Sequence, residues 1–285
     1  MDTVVRSRSK TVVIGPEQPF CVIGERINPT GRKVFQAQLQ AGDLSQLDTD
    51  VAQQVEGGAD MLDVNVGDPL ADEVALMGQA IPLVQQLTDI PLCIDSSVIE
   101  ALEAGLEAYE GKALVNSVTG EDERLEAILP IVAKYGAAVI GLANAEDIPM
   151  EAARRVEIAK KIVARAGEHG IPPEDVIIDP LAMPIGAEPR AVTLFLETLH
   201  MLRDELGVNT TCGAGNTSFG LPGRHTLGAA FLAVAQSHGL TSAIMDSRRP
   251  EMVEGVRATD FLLGRDEWGA TWIRMYRARQ AAAAS

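Results

Sequence analysis

Carboxylates and carboxamides stand where a series of short apolar runs stop: Glu25, Asp63 with Asn65, Asp95, Asn116, Asp179, Asn216 and Asp246. Singly, each fits a modest role, because Asp and Asn cap helices and tolerate the turns that follow strands. Seven of eight runs end this way, and the fifth ends on Gly141 with Asn144 just beyond. That many converging polar ends point past capping to a shared site. A ring of such groups binds a polar, nitrogen-rich heterocycle by accepting and donating hydrogen bonds along its edges.

Other chemistries find little support. His169, His200, His225 and His238 show neither HxH nor HExxH spacing and mostly fall in helical patterns, so no metal is expected. His225, at a loop–helix junction, is the one nearest the expected site. There is no GxSxG elbow or Walker loop, and no GxGxxG follows the first apolar run, which excludes the usual dinucleotide fingerprint.

The elements that must position these groups alternate along the chain. Strand candidates are FCVIGE from Phe20, DMLDVNV from Asp60, PLCIDS from Pro91, KALVNS from Lys112, AAVIGL from Ala137, DVIIDP from Asp175, NTTCGA from Asn209 and SAIMDS from Ser242. Such near-continuous apolar runs suit parallel strands covered by crossover helices. Between them the period changes. In Glu151–His169 the residues Val156, Ala159, Ile162, Val163 and Ala166 share one face, and Gly170 and Pro172 stop the helix. Glu121–Tyr135 carries an acidic first turn and a stripe of Leu125, Ile128, Leu129 and Val132, with Pro130 in conflict with it.

Eight βα units without a linker predict one α/β domain over residues 1–285, a (β/α)₈ TIM barrel, with an open doubly wound sheet as the alternative. A barrel carries its active site at the C-terminal strand ends, where the polar residues stand. Residues 1–19 form an N-terminal extension in which Thr11–Ile14 is expected to be a strand capping the barrel bottom. Residues 279–285 are expected to be a flexible tail.

The chain has a net charge of −16 and a pI near 4.7, a balance that disfavours nucleic acid and anionic membranes as partners. Cys21, Cys93 and Cys212 lie in apolar or β-rich runs, form no CxxC pair and are odd in number, which fits reduced, buried thiols. The opening MDTVVRSRSK lacks a hydrophobic signal core, and no stretch approaches the about 18 apolar residues of a membrane span. The expected location is cytoplasmic.

Six motifs occur in order at the strand ends: GERINPTGR (Gly24–Arg32), LDVNVGDP (Leu62–Pro69), CIDSS (Cys93–Ser97), VNSVTGE (Val115–Glu121), IIDPLAMP (Ile177–Pro184) and GNTSFGLPGR (Gly215–Arg224). From about Val22 to Thr259 the chain resembles the pterin-binding methyltransferases. These are the methyltetrahydrofolate:corrinoid protein methyltransferases and the folate module of cobalamin-dependent methionine synthase. The resemblance implies that Asp95, Asn116 and Asp179 hold the pterin edge and that Asn216 contacts the methyl-bearing ring nitrogen. It implies that Arg224 assists the bound folate, with Glu25, Asp63 and Ser218 as second contributors. Many relatives read Ser-Asn-Val-Ser where this chain has Gly215-Asn216-Thr217-Ser218, which keeps Asn216 in place and alters its local backbone.

The implied substrates are 5-methyltetrahydrofolate or tetrahydrofolate, and the methyl group moves to or from the cobalt of a corrinoid. The corrinoid is expected on a partner protein, because all eight βα units serve one barrel and none of the four histidines has Asp two residues before it, as a base-off corrinoid module would require. A homodimer is implied by the family alone. Dihydropteroate synthases share the fold and pterin site. They normally carry an Asn-Val-Thr-Pro-Asp-Ser-Phe-like first loop and a Ser-Arg-Lys-like motif near strand seven, where this chain has GERINPTG and GNTSFGLPG. A non-catalytic pterin-binding module is the other alternative, and the retained Asn216 stands against it.

Overall fold

A computed structural model of the protein describes residues 1–284. Strands β1 (Thr3–Arg6) and β2 (Thr11–Ile14) form an antiparallel hairpin ahead of the main sheet. The sheet is built from β3 (Cys21–Ile27), β4 (Met61–Val64), β5 (Leu92–Asp95), β6 (Leu114–Val118), β7 (Ala138–Leu142), β8 (Val176–Asp179), β9 (Asn209–Thr210) and β10 (Ser242–Met245). All neighbours are parallel, in the order β10-β3-β4-β5-β6-β7-β8-β9. The last gap closes through a parallel bridge between Gly213 and Ile244, with Ile244 N donating to Cys212 O at 2.9 Å. The expected barrel is therefore closed, and the open-sheet alternative falls.

Helices α1 (Lys33–Gln40), α2 (Gln46–Glu56), α3 (Glu73–Leu87), α4 (Ile99–Ala108), α5 (Asp122–Tyr135) and α6 (Ala152–Glu168) lie between successive strands. They are followed by α7 (Ala191–Glu205), the one-turn α8 (Ala214–Thr217), α9 (Arg224–Ser237), α10 (Pro250–Leu262) and α11 (Ala270–Ala284). Helix α11 runs through 279–284, where the sequence predicts a tail, and Ser285 lies outside the described residues.

Two apolar layers result. Inside the barrel Ile23, Met61, Cys93, Leu114, Ile140 and Ile177 pack together, joined from below by Val5 and Ile14 of the hairpin. Arg6 exchanges backbone hydrogen bonds with Lys112 at the start of the β6 segment, and Asn209 Nδ2 donates to Ile14 O at 2.8 Å. The expected cap on the barrel bottom is thus a full hairpin, because Thr11–Ile14 finds its partner in Thr3–Arg6. Outside, the opposite strand faces meet helix stripes such as Leu125, Ile128, Leu129 and Val132 of α5. Helix α5 continues through Pro130. Pro130 and Glu126 are both exposed, so the carbonyl that loses its partner faces water while four buried side chains hold the helix in place.

Strand β3 departs from the expected FCVIGE in a way that matters for the site. It runs on to Ile27, and its pairing with β4 shifts register between Gly24 and Ile27. Such a bulge re-aims side chains at a barrel rim, here Glu25 and Arg26. The bulge is held by the buried Gln54, whose Oε1 accepts from Arg26 N at 2.8 Å. A Cβ on Gly24 would sit 2.4 Å from that oxygen. Gly24→Ala is expected to displace Gln54 and destabilise the fold by about 1–3 kcal/mol. A thermal melt unchanged from the parent would show that Gln54 does not pin the bulge.

Candidate active site

The C-terminal strand ends open on a cavity of about 480 Å³. Of the residues expected from sequence, Glu25, Asp63, Asp95, Asn116, Asn216 and Arg224 line it together. Ser218 instead lines an adjoining cleft with Glu25, Arg224 and His225, and is almost wholly buried. Asp179 is not among the residues lining the main cavity. Its Oδ1 is turned to accept from Leu181 N at 2.7 Å. Asn216 is not at a strand end. Strand β9 stops at Thr210, and Asn216 rides on α8, exposed to solvent.

The cavity floor is a chain of paired acids and amides. Asn116 Nδ2 donates to Asp63 Oδ1 at 3.1 Å, and Asn65 Nδ2 donates to Asp95 Oδ2 at 2.8 Å. Asn65 is fixed in turn, since its Oδ1 accepts from Gly67 N at 2.9 Å. Adjacent β4, β5 and β6 bring these residues into line, with Asp63 opposite Cys93 and Asp95 opposite Asn116.

Burial dominates the electrostatics of this floor. It pushes Asp63 well above the usual carboxylate range, and the neighbouring Asp95 charge adds to the effect while the Asn116 amide opposes it. Asp95 is pushed up to about 6, again first by burial, against the hydrogen bonds from Asn65 and Asp63. Burial and the Asp95 charge thus both favour the protonated form of the Asp63 carboxyl. Burial raises Asp179 to about 7 against Leu181 N–H and the Arg155 charge. Glu25 is raised to about 7 by burial and then by Asp246, with Arg224, Arg248 and Arg26 pulling it down. Carboxylates held this far from water are poised for a ligand bearing N–H groups, whose hydrogen bonds restore the lost solvation.

Sequence reasoning missed the cationic side of the cavity. Arg26, Arg32 and Arg248 line it with Arg224. Two are already committed: Arg32 binds Asp50 at 2.6 and 3.1 Å, and Arg248 binds Asp246 at 2.8 and 2.7 Å. Arg26 Nε is buried without a hydrogen-bond partner, 3.7 Å from Asp50 Oδ1, and among the described residues Arg224 donates only to Gly215 O at 3.0 Å. The positions of Arg26, Arg32 and Arg248 just after the first and last strand candidates are the signal that could have found them. One wall thus suits an anion, and the floor suits a heterocycle edge.

No group of three or more His, Cys, Asp or Glu is arranged to hold a metal ion among the described residues. Cys21, Cys93 and Cys212 are free and buried, as expected. Among the described residues no helix is long and apolar enough to cross a membrane.

The profile of the pterin binding enzyme family matches residues 24–246. A methylcorrinoid:tetrahydrofolate methyltransferase of Eubacterium limosum is 30% identical over 261 residues, 90% of this chain and 96% of that protein. Methionine synthase of Mycobacterium tuberculosis is 32% identical over 259 residues, 86% of this chain but 22% of that protein. Among solved structures, a Yersinia pestis dihydropteroate synthase with a pterine-sulfa conjugate superimposes with a TM-score of 0.69 at 16% identity, over 93% of this chain and 100% of that one. A Xanthomonas albilineans dihydropteroate synthase with 4-aminobenzoic acid gives 0.70 at 17% identity, over 92% and 99%. At such low identity these two likenesses show the barrel fold alone.

Proposed function

Because the chain belongs to the family of pterin binding enzymes, we propose that it transfers a methyl group between 5-methyltetrahydrofolate and a corrinoid carried by a separate protein. One observation carries this reading. A cavity floored by buried carboxylates and amides is bordered by a carboxamide, Asn216, with no partner among the described residues, in a chain similar over 90% of its length to a methylcorrinoid:tetrahydrofolate methyltransferase.

The residues divide the work. Asp95 and Asp179 accept from the ring N–H and exocyclic amino groups of the pterin, the kind of donor their raised proton affinity awaits, and Asn116 and Asp63 complete the hydrogen-bonding edge. Arg26 and Arg224 meet the carboxylates of the folate tail. Asn216 follows the methyl-bearing nitrogen. A methyl group leaves a tertiary amine poorly unless that nitrogen gains positive charge, so the nitrogen takes a proton and keeps the electron pair of the broken bond. An amide accepts from the protonated nitrogen through its oxygen and donates to the neutral one through its NH₂, stabilising the charged form as it develops. The reduced corrinoid supplies the nucleophile, with the electron pair for the new bond, and the open mouth of the cavity gives it an approach.

The test is to mix the protein with methyltetrahydrofolate and free cob(I)alamin and follow both by absorbance and chromatography. Demethylation that needs the corrinoid supports the proposal. No transfer, together with condensation of 4-aminobenzoate onto a dihydropterin diphosphate, would replace it with the synthase reaction. Folate binding without either reaction would leave a binding module. Pairing of two copies, as the family implies, is measured alongside by light scattering.

A further inference from the structure

Helix α6 holds a cation that the floor of the site does not touch. Arg155 is fully buried, at 0% exposure. Charges persist inside proteins only where fixed partners compensate them. Its partners are backbone carbonyls of two mouth loops: Nε donates to Pro149 O at 2.9 Å, and Nη1 donates to Pro180 O at 2.5 Å and Leu181 O at 3.0 Å. Nη2 is buried with no hydrogen-bond partner among the described residues.

What those bonds hold is a strained turn. Leu181 has a φ of +67°, the left-handed region that a leucine adopts only when its surroundings impose it. In this conformation Leu181 N reaches back to Asp179 Oδ1 at 2.7 Å. Oδ2 receives no hydrogen bond from the described residues. The grip on the Pro180 and Leu181 carbonyls thus fixes the turn, and the turn fixes the carboxylate.

We infer that Arg155 is a positioning residue: it locks the Asp179–Leu181 turn so that the free Asp179 oxygen meets a substrate N–H. The inference rests on the reading of Asp179 as a pterin-binding group. The groups facing Asp179 leave Arg155 this task. Strand β7 presents Leu142 in register with it, and the Cys212 thiol beyond β9 is pushed up by burial and stays neutral. Arg155 is the cation whose field opposes the burial of Asp179.

Calorimetric titration of methyltetrahydrofolate from about pH 5 to 9 tests it, because that range spans a raised carboxylate. An ionised Asp179 accepts more strongly than a protonated one, so removing the cation moves the acid limb of binding to higher pH. Arg155→Met is expected to weaken binding about 10-fold or more and shift that limb upward. Arg155→Lys keeps the charge without the forked grip, so affinity falls while the limb stays near the parent's. In an Asp179→Asn background, Arg155→Met should add little further loss. An equal loss in both backgrounds, or an unmoved limb in Arg155→Met, overturns the inference. If Arg155→Met does not fold, parental affinity across the pH range in Arg155→Lys overturns it instead. Asp179→Asn with unchanged affinity would instead remove the pterin role of Asp179 itself, a result separate from either of these.

Discussion

Asn216→Ala lowers kcat for methyl transfer about 10²–10³-fold, the effect of losing one preorganised hydrogen-bonding group, while folate affinity stays within a few-fold of the parent. The expectation comes from how the side chain is held. Asn216 sits on the single turn of α8, and among the described residues its carboxamide has no hydrogen-bond partner. Its place is kept open by Gly213, where a Cβ would lie 2.9 Å from Asn216 Nδ2. A polar group exposed at the cavity edge and tied to nothing contributes little to folding, so its removal should leave the melting temperature unchanged. The deficit then belongs to the step in which the pterin nitrogen gains charge. Single-turnover kinetics with a corrinoid acceptor separate that step from folate binding. Normal turnover in Asn216→Ala would assign the nitrogen to another group, with Glu25, raised to about 7, a titratable candidate on the cavity wall.

The barrel was legible in the sequence because its strands are buried on both faces and therefore read as continuous apolar runs. Where burial does not decide, legibility fails. Strand β9 pairs over two residues only, and the chain closes the barrel through the Gly213–Ile244 bridge, a contact between segments that no local pattern announces. Pro130 conflicted with the helical stripe, leaving a kink or a break open, because local propensity ignores tertiary packing, and the buried stripe of α5 outweighs it. The site divides in the same way. Asp63, Asp95 and Asn116 converge because three adjacent strands share one register, which strand-end residues reveal. Arg26 and Arg248 reach the cavity through a bulge and a loop, and Asp179 is drawn toward Leu181 by a turn with positive φ. Those depend on backbone geometry that residue types alone do not encode.

The floor also makes a prediction in which function and stability move in opposite directions. Asp95→Asn is expected to weaken folate binding by about 1.5–3 kcal/mol, the value of a hydrogen bond to a charged group. The same change should raise the stability of the unliganded protein at alkaline pH. Asp95 ionises near its usual value of about 4 in the unfolded chain and at about 6 in the folded one. Between those values the folded state binds more protons than the unfolded state, so stability falls as pH rises through the window. The penalty is absent below it and complete above it. An asparagine carries no such penalty and can still accept from Asn65 Nδ2, whose present partner is Asp95 Oδ2. It also removes a negative charge beside Asp63, which burial and that charge together hold far above the carboxylate range. The melting temperature of Asp95→Asn should therefore exceed the parent's by a few degrees at about pH 8 and converge on it toward about pH 4. A purely structural aspartate would give the reverse, with loss of stability at neutral pH and no selective loss of ligand. Scanning calorimetry of both proteins across that window, with and without folate, decides between the two. A variant less stable than the parent at pH 8 would mean that the Asp63–Asp95 pair holds the barrel mouth together and is not strained in readiness for the pterin.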